Sequence, residues 1–494
     1  WSFLDDDVMI KNNLEFFRSP GSLVKIFQKD VFLNGHSAFY RPVQALSYWI
    51  DAQFYDSTVR PFFFSNLLLH ILSCFVFLHV LYRLIPVRWI DLLLVTLFAA
   101  NPLFVQTVCW LPSRGELLLA FFAGASVLSA LKYRETDNRS NLLFISFTIL
   151  LSLLTKESAI VLPVLLGLLL FWRKRTPGRS DKLLLGLALG LPILVYFLLR
   201  LSAVRQSAAG EGFDIINIFA NFRAVPELFA KFVAPFNLSP LPRFQILNLL
   251  VGGGLMAGVL IWAFAARRWK SVAVGFSILW IGLFIVPTLT FNQGFSAHSY
   301  QYLEHRAYVP FAGLVFLFGY LFYEKIQADR IVAGLLIALC IFYGIFAHLY
   351  AKNYQNHETY FARVLEQNPR DPVAYFNRGN ARDRSGKQDE AFGDYSKAIE
   401  IVPGYVSALN NRSRILMARN QFELAITDLT AGLRIDPYDR RLLFNRGVAN
   451  LQLGKLTSGC VDLQKAIESG SADAPDIKAK YCTQENFQRY NMEK

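Results

Sequence analysis

Three consecutive carboxylates, Asp5, Asp6 and Asp7, open the chain in WSFLDDDVMIKNN, a short way ahead of a long apolar stretch. Like charges set side by side repel, so the triplet needs a use that burial does not supply. Further along, ionisable residues recur at the ends of apolar runs: Arg41, then Arg114 and Glu116 in LPSRGE, Lys156 and Glu157 in TKES, and Glu304, His305 and Arg306 in LEHR. Charges at such places are costly to dehydrate, and a recurring mixture of acids and bases there invites a chemical reading. A Ser or Thr hydroxyl hardly ionises at neutral pH, so a carboxylate placed to take its proton makes it a competent nucleophile. Preorganised cations lower the barrier for a leaving group that gains negative charge. The plainer readings are that Arg and Lys snorkel to lipid headgroups and that the aspartates form a solvated loop or a helix cap. Adjacent side chains of an extended loop diverge, so the three aspartates are not expected to act as one cluster.

The elements that must position these groups are membrane helices. Hydrophobic residues make up 54% of the 494, with 44 Phe, more than soluble globular proteins carry. A net charge of +13 could indicate nucleic acid, but the Lys and Arg punctuate apolar runs instead of forming a basic face, so no nucleic-acid partner is expected. About ten segments match the roughly 20 apolar residues a bilayer requires: 59–83, 89–109, 114–132, 140–155, 158–173, 183–203, 244–266, 271–290, 307–323 and 331–350. The connections YRLIPVR, KYRETDNRS, WRKRTPGRSDK, ARRWK and YEKIQADR are rich in Lys and Arg and are expected in the cytoplasm. Alternation then sends residues 1–58, LPSRGE, TKES, segment 204–243 and 292–306 to the opposite side. Residue 1 is thereby outside, and a further span upstream of Trp1 is expected, about eleven in all. Segment 214–243 reads as an amphipathic helix lying in the outer leaflet, and His70 in NLLLHIL as a residue bonded to a neighbouring helix. The five cysteines form no framework; Cys460 and Cys482 are the pair able to join.

After Ala351 a fixed period appears. Pro369, Pro403 and Pro437 stand 34 residues apart, and Asn377, Asn411 and Asn445, Arg378, Arg412 and Arg446, and Asp394, Asp428 and Asp462 keep the same register. Small residues Gly379, Ser413 and Gly447, with Ala391, Ala425 and Gly459, fall where two helices must approach closely. This is the signature of helix-turn-helix tetratricopeptide repeats, flanked by a lone helix over 353–368 and a polar capping helix over 471–494. The expected fold class is all-α: a polytopic helical membrane domain over 1–351, then a tetratricopeptide solenoid over 352–494 on the non-cytoplasmic side.

The stretches FLDDDVMIKNN, YRPVQALSYWIDAQFY, FSNLLLHILSCFVFLHVL, NPLFVQTVCWLPSRGELLLAFF, SLLTKESAIVLPVLLG and LEHRAYVP, in that order, resemble the GT-C superfamily glycosyltransferases with C-terminal tetratricopeptide repeats. These include the transmembrane O-mannosyltransferases that act on cadherins and their bacterial relatives. The likeness runs from about residue 3 to 310 and resumes in the repeats. Asn101 and Gln106 depart from it, standing where relatives often have His and Glu in HPxxxEAVAW.

The resemblance implies a GT-C membrane domain, a catalytic acid in the first outer loop and a polyprenyl-phosphate sugar as donor substrate. On it, Asp5 or Asp6 is the base, and Arg114, Lys156, His305 and Arg306 hold the donor phosphate. Asp7, Arg41, Glu116, Glu157 and Glu304 support them. No cofactor is required, and an aspartate beside the base is left to bind a divalent metal, Mg or Mn, orient the acceptor or cap a helix. A single displacement inverts the anomeric carbon. The partners expected are membrane lipid, the lipid-linked donor, and a protein acceptor or partner held by the repeats. The location expected is the bacterial inner membrane with repeats in the periplasm, or the endoplasmic reticulum in a eukaryote. Two alternatives stand beside this: a transferase acting on lipid or polysaccharide, and a catalytically silent scaffold docking partners through its repeats.

Overall fold

The computed structural model describes residues 9–33, 37, 39–54, 60–85, 87–171, 179–204, 215–265, 267, 271–290 and 302–484. The regular elements among these residues are all helices, with no strand among them. Two compact units meet in the chain between Asn356 and His357.

The first unit opens with short helices α1 (Leu14–Arg18), α2 (Ser22–Ile26) and α3 (Pro42–Gln53). They share a core of Ile10, Phe17, Ile26, Tyr48, Phe62 and Leu111. The apolar helices follow: α4 (Arg60–Leu84), α5 (Arg88–Ala99), α6 (Val105–Cys109), α7 (Arg114–Thr136), α8 (Ser140–Thr155), α9 (Leu162–Phe171) and α10 (Arg179–Ala203). After α11 (Ile215–Asn221) and α12 (Ala224–Val233) come α13 (Ile246–Ala265), α14 (Val272–Leu289), α15 (Tyr308–Ala328) and α16 (Arg330–Ala351).

Seven of these helices are long and apolar enough to cross a membrane, and an eighth span results if α5 and Pro102–Cys109 are counted as one. The other two of the ten expected segments, Ser140–Thr155 and Glu157–Phe171, are apolar helices of 10 to 17 residues. The second expected span is broken, because Pro102 cannot continue a helix and Asn101 Oδ1 accepts from Leu103 N at 3.0 Å, bending the chain by 48°. The fourth and fifth are short: α8 has 16 residues, and α9 begins only after a 3-10 turn, Glu157–Val161. Helices α7 and α15 are mostly enclosed, whereas α10, α13 and α16 turn Leu and Ile side chains outward. Arg83 pairs with Glu135 and Arg139 with Asp181, joining connections expected on one side of the membrane. His70 bonds Tyr308 Oη at 2.7 Å and Ala99 O at 3.1 Å, as its place inside a span suggested.

The second unit has lead-in helix α17 (His357–Gln367) and the pairs α18 (Pro372–Arg384) and α19 (Gln388–Ile401), α20 (Val406–Ala418) and α21 (Phe422–Ile435), and α22 (Arg440–Gln452) and α23 (Leu456–Glu468). Capping helix α24 (Ala474–Tyr481) ends the described residues of the solenoid. The repeated columns have a direct cause: Arg378, Arg412 and Arg446 on each first helix grip Asp394, Asp428 and Asp462 on the second with paired bonds of 2.7 to 3.0 Å. Bidentate pairs of this kind fix both angle and register. Gly447 and Gly459 let two backbones touch, since a Cβ on Gly459 would lie 2.9 Å from Gly447 O. Cys460 and Cys482 form a disulfide that ties the segment after α24 to α23.

Candidate functional site

Charged groups singled out in the sequence come from four separate parts of the chain. Lys156 sits in extended backbone between the end of α8 and the turn Glu157–Val161, and its ammonium reaches Glu116 in the first turn of α7. Next to it, Glu157 is held by Arg41 Nε and Nη2, both at 2.9 Å, and accepts from Tyr40 N at 3.1 Å. Pro42 starts α3 immediately after Arg41, so the helix start fixes the guanidinium, which also stacks 4.8 Å from the Phe39 ring. The fourth part is the 3-10 turn Glu304–Ala307 ahead of α15, which carries His305 and Arg306. Arg306 donates to Thr288 O at 3.4 Å, and the His305 ring meets Trp110 edge-on at 4.8 Å.

These groups feel one another's charge. Burial pushes the Lys156 ammonium pKa below the ordinary lysine value, Glu116 opposes this, and Arg306 and Arg41 push it down further. Burial would lower Arg41, but Glu157, with a smaller contribution from Glu116, overcomes it and holds the guanidinium above its ordinary value. Burial acts most strongly on His305, followed by Arg306, Lys156 and Arg41, and its Nδ1 is buried with no hydrogen-bond partner among the described residues. Among the described residues, Arg41, Lys156 and Arg306 act on one another beside Glu116, Glu157 and an imidazole with one unpartnered nitrogen, and cations so placed can take part in holding an anion.

Two residues assigned to this group on sequence lie elsewhere. Arg114 is fully buried and committed to protein partners: Asp51 Oδ2 at 2.5 Å, Asn66 Oδ1 at 2.6 Å, Phe62 O at 2.7 Å and Ser47 Oγ at 3.3 Å. It rivets α3, α4 and α7 together, so its assignment as a phosphate ligand is corrected. Glu304 turns away from the cluster and pairs with Lys231 on α12 at 2.6 Å. Asp5, Asp6 and Asp7 lie outside the described residues. Among those described, no three His, Cys, Asp or Glu groups could hold a metal ion.

Sequence reasoning overlooked Asp51, Glu227, Lys231 and Tyr302. Two charges four residues apart in the apolar stretch PELFAKFV were the available signal for the α12 pair. Within that segment Glu227 and Lys231 are at most 1% exposed and face protein, whereas Phe219, Phe222 and Phe236 are exposed. It is fastened from the broken span, where Asn101 Nδ2 donates to Phe232 O at 2.9 Å and Gln106 Nε2 to Pro240 O at 3.1 Å. Tyr343 Oη adds a bond to Val233 O at 2.6 Å. Gly252 on α13 completes the fit, since any Cβ there would overlap Pro226 O.

Comparison with known proteins identifies the repeats. Residues 347–406 and 410–475 match the tetratricopeptide repeat family. DnaJ homolog subfamily C member 7 of Mus musculus is 30% identical over 103 residues, 21% of each chain. Serine/threonine-protein phosphatase 5 of Homo sapiens is 30% identical over 90 residues, 18% of each chain. A protein O-mannosyl-transferase of Caenorhabditis elegans is 25% identical over 168 residues, 32% of this chain and 23% of the relative. The chain thus spans about a fifth of the length of these curated relatives. The protein carries tetratricopeptide repeats, and one partial relative is a glycosyltransferase.

Proposed function

We propose that the protein is a GT-C membrane glycosyltransferase moving a sugar from a polyprenyl phosphate to a hydroxyl acceptor, a Ser or Thr of a protein, on the non-cytoplasmic face. The observation that carries this reading is the mutual influence of Arg41, Lys156, His305 and Arg306, beside Glu116 and Glu157, with His305 Nδ1 buried and without a hydrogen-bond partner among the described residues. The partial likeness to an O-mannosyl-transferase supports it.

In this mechanism the acceptor oxygen bonds to the anomeric carbon as its proton passes to Asp5 or Asp6. The bond from that carbon to the phosphate oxygen breaks with its electron pair, so the lipid phosphate leaves with one more negative charge. Lys156 and Arg306 stabilise that charge, and His305 Nδ1 is available to hydrogen-bond a phosphate oxygen. Glu116 and Glu157 hold Lys156 and Arg41 in place, and the single displacement inverts the anomeric centre. The repeats capture the acceptor protein through the inner face of the solenoid. The Cys460–Cys482 disulfide fits an oxidising compartment such as the periplasm or the lumen of the endoplasmic reticulum.

The test is transfer of labelled mannose from a polyprenyl-phosphate mannose to Ser/Thr peptides by the full chain in nanodiscs. Transfer that disappears in Asp5→Asn/Asp6→Asn, with folding intact, supports the reading; undiminished transfer in that variant sinks it. A non-catalytic scaffold is the second reading, favoured because the family match is confined to the repeats. It expects partner capture by the repeats and no transfer by the wild type.

A further inference from the structure

The turn that carries His305 and Arg306 is anchored by a buried ionic network that the transfer chemistry does not use. Lys231 Nζ lies 2.6 Å from Glu304 Oε1 and 4.0 Å from Glu227 Oε1, with all three side chains at most 1% exposed. The remaining lone pairs are met from three directions. Ser239 N donates to Glu304 Oε1 at 3.3 Å, while Tyr302 Oη and Asn248 Nδ2 donate to Glu227 Oε1 at 3.1 and 2.8 Å, and Gln245 N donates to its Oε2 at 3.2 Å. The ammonium also lies 5.2 Å from the centre of the Tyr302 ring. The network therefore ties α12, the 239–245 connection and the first turn of α13 to the residues on which the turn begins.

Dehydrating two carboxylates and an ammonium is expensive, and an apolar packing of the same volume would often be as stable. What the network supplies is a fixed geometry. Glu304 precedes His305 directly, so locking its side chain into α12 sets the rotation of the whole 3-10 turn. Its neighbours then point to the other side, where Arg306 meets Thr288 O and His305 meets Trp110.

We infer that Lys231, acting through Glu304, is a positioning residue for the anion-binding site, fixing His305 and Arg306 on the phosphate of an isoprenoid monophosphate. This rests on the phosphate-binding reading above. Glu227 and Tyr302 serve it in turn by holding Lys231 from behind.

The test is equilibrium binding of farnesyl phosphate to the detergent-purified full chain. Glu304→Gln keeps the shape and loses the charge; affinity should fall about tenfold, with Lys231→Met doing the same and Lys231→Arg staying within about threefold of wild type. Because the pair acts in part through Arg306, Glu304→Gln should weaken binding less once Arg306→Gln is present. If Lys231→Met fails to fold, the isosteric Glu304→Gln carries the comparison. Wild-type affinity in a folded Glu304→Gln, or losses that simply add in the double variant, overturns the positioning role. A wild type that ignores farnesyl phosphate but folds normally instead removes the phosphate reading on which the role depends.

Discussion

Arg114 Nη1 lies 2.5 Å from Asp51 Oδ2, and the guanidinium is wholly out of reach of solvent. Asp51 also accepts from Ser65 Oγ at 2.5 Å, so α3 is fixed to α7 by a buried ion pair and to α4 by a hydrogen bond. Removing the cation alone leaves a carboxylate uncompensated, at a cost of about 3 to 5 kcal/mol. Arg114→Leu should therefore lower the melting temperature sharply in detergent, and Arg114→Leu/Asp51→Leu should recover part of the loss. A double variant no more stable than the single one would contradict this account.

Lys156 titrates early. Burial, aided by Arg306 and Arg41, brings its pKa below the ordinary 10.5. A bound anion favours the protonated form, so farnesyl phosphate affinity should be full below the depressed pKa and decline as pH rises through it. In Lys156→Arg, whose guanidinium does not titrate in that range, the decline should vanish. A titration from neutral to alkaline pH reads both.

Glu358 offers a stability test of opposite sign. The Lys387 hydrogen bond at 2.9 Å draws its pKa down, against a smaller effect of burial, and Arg382 at 3.0 Å adds to the pull. An acid depressed in the folded state contributes stability above its unfolded value, near 4.5, that is lost as pH falls through the folded one. The protection of α17 and α18 amides, measured relative to the intrinsic exchange rate at each pH, should thus fall on acidification, and Glu358→Gln should flatten that dependence.

Two glycines in the solenoid should respond oppositely. A side chain on Gly447 would press on Gly459 O at 3.1 Å and Leu463 Cγ at 2.9 Å. Gly447→Val should destabilise the repeats by about 2 kcal/mol. Gly393 lies on the open face of α19 with nothing within 4 Å, so Gly393→Ala should stabilise them by about 0.5 to 1 kcal/mol. Chemical denaturation followed by amide exchange distinguishes the two.

The disulfide should matter locally. Cys460 and Cys482 close a loop across 22 residues at the open end of the solenoid. Cys482→Ser should cost on the order of 3 kcal/mol there, seen as faster exchange over α24 with α18 to α21 unchanged.

The repeats were legible in advance because each Arg–Asp grip closes within one period, so the pairing is written into local spacing. The basic connections likewise announced which helix ends lie together, as Arg139 and Asp181 illustrate. Lys231 and Glu304 stand 73 residues apart, and nothing in either neighbourhood names the other. Hydropathy alone also passed over the break at Asn101, because a window average does not register one missing donor and one capped turn. Of the site, the cations were found by type and the arrangement was not: Arg114 and Lys156 look alike in sequence, and only the proximity of Asp51 turns one into a rivet.

Asn101 and Gln106 latch the carbonyls of Phe232 and Pro240 with carboxamides, groups that neither gain nor lose a proton in water. An imidazole and a carboxyl at those two positions would let acidity loosen or tighten the seam. Here the clasp holds equally in sour and neutral surroundings, and whatever pH response the molecule has must arise from its titrating residues rather than from this hinge.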